Sequence, residues 1–181
     1  THPPRGFESV TFVLDGAHEQ RDAQGNRAVT AAGGVQQLRT GVRASVTESP
    51  APGSRNRGLK LWLEMPEGVG TTESYMNEVH AKALPVRHNG GVTVRTVVGS
   101  RSPLAAMTPL TWEDVVLEGG ARFGAAIPEG WQGFVYVVDG SVKVGLSEVH
   151  AGSAAFPGEG DFHIEASAGA RVAVIAAQPL G

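Results

Sequence analysis

The first candidates for chemistry in this chain are its six histidines and its scattered carboxylates. The sequence contains no cysteine. A chain without thiols offers no thiolate nucleophile, no thiolate metal site and no disulfide. His163 and Glu165 stand two residues apart, so on a strand both would point to one face at the spacing of a metal-ligand pair. Since no partner residues face this pair in the sequence pattern, we interpret it as part of an exposed strand face.

A second pair at the same spacing, His18 and Gln20, follows the turn dipeptide Asp15-Gly16. On a strand these two side chains would share a face and could supply metal ligands. A histidine near a turn is more often solvated than bound, so solvent exposure is the favoured interpretation of His18. Three further histidines have no partner at ligand spacing and are expected to be exposed: His80, His88 and His150.

Several reaction and partner classes are excluded by what the sequence lacks. It has no Gly-x-Ser-x-Gly elbow, no phosphate loop ending in Lys-Ser/Thr, no His-Glu-x-x-His and no dinucleotide fingerprint. The formal net charge is -3 and the basic residues are scattered, so neither nucleic acid nor a membrane is expected as a partner. With no apolar core of a signal peptide at its start, the chain is expected to be cytoplasmic.

The elements that must position these side chains are predicted to be short β-strands. Gly (25) and Pro (11) are abundant, and long stretches with helical periodicity are almost absent, which is typical of an all-β chain. A segment at Thr72–Ala83 has weak helical character but is closed by Pro85, so we interpret it as a connection. The strand candidates are Val10–Leu14, Leu59–Leu63, Val92–Val98, Phe134–Val138 and Val172–Ala176.

Three dipeptides that tolerate positive φ predict hairpin tips between antiparallel neighbours: Asp15-Gly16, Asn89-Gly90 and Asp139-Gly140.

An internal repeat indicates that the chain contains two copies of one unit. The segment 8–16 matches 132–140 in pattern and turn, and Ala32-Gly33 corresponds to Ala151-Gly152. The loop-forming stretch 99–108 lies between the copies. We therefore predict an N-terminal domain over residues 1–100 and a C-terminal domain over residues 101–181.

The opening segment His2-Pro-Pro-Arg-Gly-Phe-Glu8, followed by an aromatic strand and an acidic-Gly turn, closely resembles the signature of the pirin family, which belongs to the cupin superfamily. The resemblance implies two cupin barrels of jelly-roll type in tandem. Because pirins usually have more residues on both sides, it also implies that this chain is the middle of a longer protein. The match continues through Arg21-Asp22, Gly33-Gly-Val-Gln-Gln37, Leu59-Lys-Leu-Trp-Leu63, Gly120-Ala-Arg-Phe123 and Pro128-Glu-Gly-Trp131.

The resemblance also implies a metal site that has lost half of its ligands. Pirins hold one metal ion in the first barrel through a His-x-His pair and a later His-x-Glu pair. Here His2 and Glu48 keep their positions, whereas Pro4 and Val46 stand where two histidines are expected, and neither side chain can coordinate. No metal is therefore expected; the alternative is a single iron, nickel, copper or zinc ion bound weakly by His2 and Glu48.

The second barrel is expected to bind no metal, because Ala126, Pro128 and Gln132 stand in the positions that match His2, Pro4 and Glu8.

Three functions remain open from the sequence. The favoured one is a metal-independent enzyme that holds a small apolar, aromatic or polyketide-like compound in the first barrel and isomerises, cyclises or dehydrates it. The apolar replacements would make the pocket drier and raise the pKa of a carboxylate inside it, which suits Glu48, with His2, to acid/base work. The substrate would contact Trp62, Gln20, Val46 and Pro4.

The second function is a metal-dependent dioxygenase like the quercetin-cleaving pirins. The third is a non-catalytic regulatory protein that binds a protein partner.

Overall fold

In the computed structural model, residues 7–22, 25–39, 46–65 and 75–180 are described, and almost all of their regular structure is β-strand. The described part of the chain contains no helix with the length and apolarity that crossing a bilayer requires. The strands are β1 Phe7–Asp22, β2 Arg27–Ala31, β3 Val35–Arg39, β4 Val46–Pro50, β5 Asn56–Glu64, β6 Tyr75–Val79, β7 Val86–Asn89, β8 Val92–Val98, β9 Leu110–Leu117, β10 Arg122–Ile127, β11 Gln132–Asp139, β12 Ser141–Val144, β13 Ser147–His150, β14 Ala154–Ala155, β15 Gly160–Glu165 and β16 Ala170–Ala177.

The chain divides into two compact units. The first contains Thr1–Leu84 and Ala106–Thr108, and the second contains Pro85–Ala105 and Pro109–Gly181. The predicted boundary between residues 100 and 101 differs from this division. The physical reason is strand pairing: β7 pairs with β8, and β8 pairs with β9, so both strands complete a sheet of the second unit.

In the first unit, the strand β1 pairs with four other strands. Its first half lies between β3 and β5, and its second half lies between β2 and β4, all antiparallel. β6 extends the sheet beyond β3. Val10 and Phe12 in the first half are fully buried, as expected for the apolar core of a strand that has neighbours on both sides.

An irregularity in β1 lets one strand serve both halves. The register with β5 shifts between Val13 and Asp15, where a β-bulge inserts an extra residue. Gly16 has a φ of 71°, and a Cβ at this position would lie 1.7 Å from the Arg55 carbonyl oxygen. Asp15-Gly16 is therefore not a hairpin tip, and the prediction of one was wrong: the strand continues through the bulge to Asp22.

The second unit consists of two sheets. One has the strand order β10-β15-β12-β13, and the other has the order β14-β11-β16-β9-β8-β7. Their apolar residues form a core cluster that includes Val115, Val135, Ile164 and Val172, each fully buried. Burial of this kind stabilises the fold by about 25 cal/mol for each Å² of apolar surface removed from water.

The turn predictions in this unit had mixed outcomes. Asn89-Gly90 was confirmed as part of a hairpin tip, because Asn89 pairs with Val92 and the two intervening glycines both have positive φ. Asp139-Gly140 does not close a hairpin, since β11 and β12 belong to different sheets. The glycine there instead redirects the chain from one sheet to the other.

The five strand candidates from the sequence are confirmed, each lying within β1, β5, β8, β11 or β16. The segment 72–83 differs from the interpretation as a plain connection: Tyr75–Val79 is a strand, paired with β3, and Ala81–Ala83 forms a short 3-10 turn. Pairing with β3 supplies the backbone partners that periodicity alone does not reveal.

The internal repeat is confirmed by matching backbone hydrogen bonds. Gly33 N–H donates to the Val13 carbonyl at 2.7 Å, and Gly152 N–H donates to the Val137 carbonyl at 2.9 Å. The residue before each glycine donates across to Gly16 or Gly140, in both cases at 2.9 Å. The same turn therefore follows the same strand in each unit, and both glycines have positive φ.

We predict that Gly16→Ala destabilises the first unit more than Gly53→Ala does. Both glycines have nearly the same φ, 71° and 73°, but an added Cβ meets nothing within 4 Å at Gly53. Each substitution should cost about 1–2 kcal/mol for the left-handed backbone, and Gly16→Ala about 1–3 kcal/mol more for the clash with Arg55. Urea unfolding of both variants measures the difference. Equal losses would show that the bulge does not need a glycine.

Candidate functional site

The predicted site residues fall into two groups. Val46, Glu48, Gln20 and Trp62 lie on described strands, whereas His2 and Pro4 lie outside the described residues.

Strand pairing brings Gln20 and Glu48 together. They face each other across β1 and β4, and the Gln20 Nε2 atom donates to the Glu48 Oε1 atom at 3.3 Å. Val46 lies on the same face of β4, two residues earlier, and is 3% exposed. The structure thus brings three of the predicted site residues onto one face, and of these Gln20 and Glu48 make direct contact.

Lys60 is a member of this site that sequence reasoning missed. Its Nζ atom contacts the same Glu48 Oε1 atom as an ion pair, although β4 and β5 are not paired with each other. The side chains are 19% and 15% exposed, so the pair is largely withdrawn from water. The signal in the sequence was a lone lysine between apolar residues in the strand segment 59–63, at a position that alternation assigns to the face of Trp62.

Trp62 lies on the same face of β5 as Lys60. Its side chain is 44% exposed, and its ring centroid is 4.5 Å from that of Phe7 in a tilted arrangement. The Lys60 ammonium lies 4.7 Å from the centre of the indole ring, within the range of a cation–π interaction. Leu63, on the opposite face, is buried, which confirms that Trp62 points away from it.

His18 is buried, and the interpretation of a solvated histidine was wrong. It is 6% exposed, on a part of β1 that pairs with β2 and β4. Its Nδ1 atom lies 2.7 Å from Nδ2 of Asn56. An amide nitrogen can only donate, so the neutral imidazole accepts at Nδ1 and carries its proton on Nε2. Burial lowers the pKa of His18, Glu48 raises it and Lys60 lowers it further.

Buried polar atoms without partners surround this group. Among the described residues, His18 Nε2, Gln20 Oε1 and Gln36 Oε1 have no hydrogen-bond partner. Buried polar groups in native proteins are nearly always paired, and one that is not needs water, an ion or a ligand. Ordered water, an ion or a polar group of a ligand can pair with this donor and these two acceptors.

We call these residues the Glu48 cluster: His18, Gln20, Glu48, Asn56 and Lys60. Its character differs from the dry pocket expected from Pro4 and Val46, since all five side chains are polar or charged. The cluster presents a carboxylate held by two donors beside a neutral imidazole, an arrangement able to accept and return a proton.

The cluster does not fit a catalytic metal ion. Such an ion normally takes three protein ligands and leaves one position open. Val46 offers no donor atom, the Glu48 carboxylate is already bonded to an ammonium group, and the described residues contain no group of three His, Cys, Asp or Glu side chains placed to hold a metal. We therefore assign no chemical step to a metal here.

The second unit has no equivalent cluster in the described chain. Ala126, Pro128 and Gln132 are exposed, as are His163 and Glu165, which confirms the interpretation of an exposed strand face. Glu165 lies 3.3 Å from Arg122 in a surface ion pair. The other histidines expected to be exposed, at positions 80, 88 and 150, are so.

The fold defines a class of protein. The structure of quercetin 2,3-dioxygenase from Acinetobacter baumannii superposes with a TM-score of 0.92 and 25% sequence identity, covering 99% of this chain and 67% of that one. The two units are thus cupin barrels of the jelly-roll type in tandem, as predicted.

The family follows from sequence comparison. The Pirin model matches residues 1–63, and the model of the pirin C-terminal cupin domain matches residues 112–181. A pirin-like protein of Caulobacter vibrioides is 32% identical over 189 residues, which cover 99% of this chain and 68% of the relative. Pirin-1 of Arabidopsis thaliana is 31% identical over 192 residues, covering 99% and 67%. The chain belongs to the pirin family.

We predict that His18 makes the fold less stable in mild acid. Since its folded pKa lies below the ordinary 6.5, the unfolded chain takes up a proton at His18 in a range where the folded chain does not. The free energy of unfolding should therefore fall as the pH decreases through about 6.5. In His18→Gln this fall should be smaller, whereas His163→Gln, at an exposed site, should behave like the wild type. Urea unfolding at pH 7.5 and 5.5 provides the measurement, and an unchanged fall in His18→Gln would contradict the assignment.

Proposed function

We propose that the first unit is a metal-independent enzyme that acts on a small, largely apolar or aromatic compound by acid/base chemistry. The observation that carries the proposal is the Glu48 carboxylate, held by Gln20 and Lys60 beside buried polar atoms that lack partners. Glu48 is the group that moves the proton. His2, its partner expected from the sequence, lies outside the described residues.

The geometry supports reactions in which a proton leaves one atom of the substrate and returns to another. Two donors on Oε1 fix the orientation of the carboxylate before a substrate binds. In an isomerisation, Glu48 takes a proton from a carbon beside a carbonyl group and delivers it to a neighbouring atom, with no oxidant or reductant. Cyclisation and dehydration use the same two transfers.

Substrate contacts are proposed from the faces of the strands. The exposed part of the Trp62 ring offers apolar contact on the face that carries Glu48 and Lys60, and the buried Val46 side chain lies beside Glu48 on β4. His18 Nε2 and Gln20 Oε1 offer a donor and an acceptor to an oxygen-bearing end of the compound. A compound with one apolar or aromatic part and one hydroxyl or carbonyl group satisfies both.

We predict that Glu48→Gln lowers turnover by about 100-fold or more, because the amide cannot accept a proton. Aromatic and polyketide-like hydroxy-carbonyl compounds are screened first for thermal stabilisation of the protein, then for conversion by mass spectrometry with a chelator present. Glu148→Gln is the matched control, since Glu148 is exposed in the second unit. Unchanged turnover in Glu48→Gln would exclude the mechanism.

A second candidate, metal-dependent ring cleavage with oxygen, is favoured by the similarity to quercetin 2,3-dioxygenase. Elemental analysis of protein purified without chelator separates the two candidates. Because a catalytic site needs an ion in each active molecule, less than about 0.1 ion per chain excludes the dioxygenase. Oxygen consumption on addition of quercetin, abolished by a chelator, would instead favour it over the acid/base mechanism.

A further inference from the structure

The Lys60 side chain is held at a defined place in the Glu48 cluster by two contacts. Its ammonium group bonds to Glu48 Oε1 and lies 4.7 Å from the centre of the Trp62 ring. These two contacts hold the Lys60 side chain against the protein, so it does not extend into water as the side chains of surface lysines do. A long, flexible side chain is thus fixed beside the one carboxylate that remains of the family's metal-binding pattern.

The contact has an electrostatic consequence for any cation that approaches Glu48. A carboxylate and an ammonium group in contact have a net charge of zero, so the pair attracts a divalent ion only weakly. The ion would also be repelled by Lys60 at short range, and this repulsion is strong where both partners are four-fifths or more withdrawn from water. To bind, a metal ion would have to displace the lysine.

Gln20 strengthens this arrangement. Its amide donates to the same carboxylate oxygen, at 3.3 Å, so Oε1 already receives two hydrogen bonds. Val46 on the same strand face adds no donor atom. The carboxylate is therefore hydrogen-bonded by protein groups, and its own face of β4 offers no second ligand beside it.

We propose that the Lys60 ammonium is the resident cation of this site: it neutralises Glu48 in place of a metal ion and keeps divalent transition-metal ions out. In this arrangement the lysine is a positioning residue, since it fixes the orientation of Glu48. The replacement of two metal ligands and the presence of Lys60 then belong together. A metal ion organises the site in the family pattern, and the lysine ammonium organises it here.

The test measures nickel(II) binding to the full chain without an affinity tag, by calorimetry and by equilibrium dialysis with elemental analysis. Lys60→Gln removes the charge but keeps a polar side chain. It should bind nickel at least about tenfold more tightly than the wild type. Lys60→Arg keeps the charge and should remain within about twofold of the wild type.

Two further variants locate the ion. Adding Val46→His to Lys60→Gln supplies a second ligand on the face of Glu48 and should tighten nickel binding by about another tenfold. Adding Glu48→Gln to Lys60→Gln should return nickel binding to the wild-type level. Any nickel that this double variant still binds measures weak binding by the exposed histidines. Lys143→Met, at an exposed position in the second unit, is the control for general loss of positive charge.

The proposal is overturned if Lys60→Gln and Lys60→Arg both bind nickel as the wild type does. It is also overturned if the wild type binds one nickel ion tightly and loses it in Glu48→Gln. Circular dichroism and thermal unfolding establish that each variant is folded; if Lys60→Gln is not, Lys60→Met, which also lacks the charge and has a similar volume, takes its place with the same expected gain.

This inference shares Glu48 with the proposed acid/base chemistry, but nickel binding is measured without a substrate, so the two can fail separately. A gain of nickel in Lys60→Gln, together with unchanged turnover in Glu48→Gln, would leave the role of Lys60 standing and remove the catalytic one. The reverse pair of results would remove the role of Lys60 alone.

Discussion

The constraint on which the first unit depends is that a single strand, β1, must form part of both halves of the unit. It pairs with β3 and β5 before the bulge at Val13 and Asp15, and with β2 and β4 after it. Thr11 pairs with Lys60 before the bulge, and Gln20 pairs with Glu48 after it. The bulge shifts the alternation of side chains by one residue, so both residues of β1 face the side on which Lys60 and Glu48 meet. Without the extra residue, His18 and Gln20 would point to the other face. The geometry of the Glu48 cluster therefore follows from one backbone irregularity, and that irregularity needs a residue without a Cβ at position 16.

Electrostatic compensation is the second requirement, because the cluster places a carboxylate, an ammonium group and an imidazole close together and largely out of water. A charge withdrawn from water is tolerated when it is paired and hydrogen-bonded. Glu48 is paired with Lys60 and bonded by Gln20, and burial keeps His18 neutral by lowering its pKa. The charges of Glu48 and Lys60 cancel, and the two unpaired atoms of the cluster, His18 Nε2 and Gln20 Oε1, are uncharged.

The two units show how one architecture supports different surfaces. Both contain the same turn after the same strand, with equivalent backbone hydrogen bonds at Gly33 and Gly152. In the first unit the strand passes through Gly16 without interruption, whereas in the second it is divided at Gly140 into β11 and β12. The backbone pattern was retained while the side chains diverged: Ala126, Pro128 and Gln132, which match His2, Pro4 and Glu8 of the first unit, are exposed. Fold and function thus follow different sets of residues.

The sequence by itself determined the class of fold, the five strand segments, the repeat and the family, because each depends on local patterns: alternation, turn glycines and short motifs. It also determined that Val46 cannot coordinate a metal, since that is a property of the side chain alone. Only the tertiary structure decided that Lys60 contacts Glu48 and that His18 is buried. Lys60 and Glu48 lie on strands that do not pair with each other. The direction of the β1 side chains depends on a bulge, and the dipeptide Asp15-Gly16 is equally compatible with a bulge and with a hairpin tip. Contacts between strands that are distant in sequence, and a shift of one residue in register, are set by the packing of the whole unit, and no local pattern encodes them.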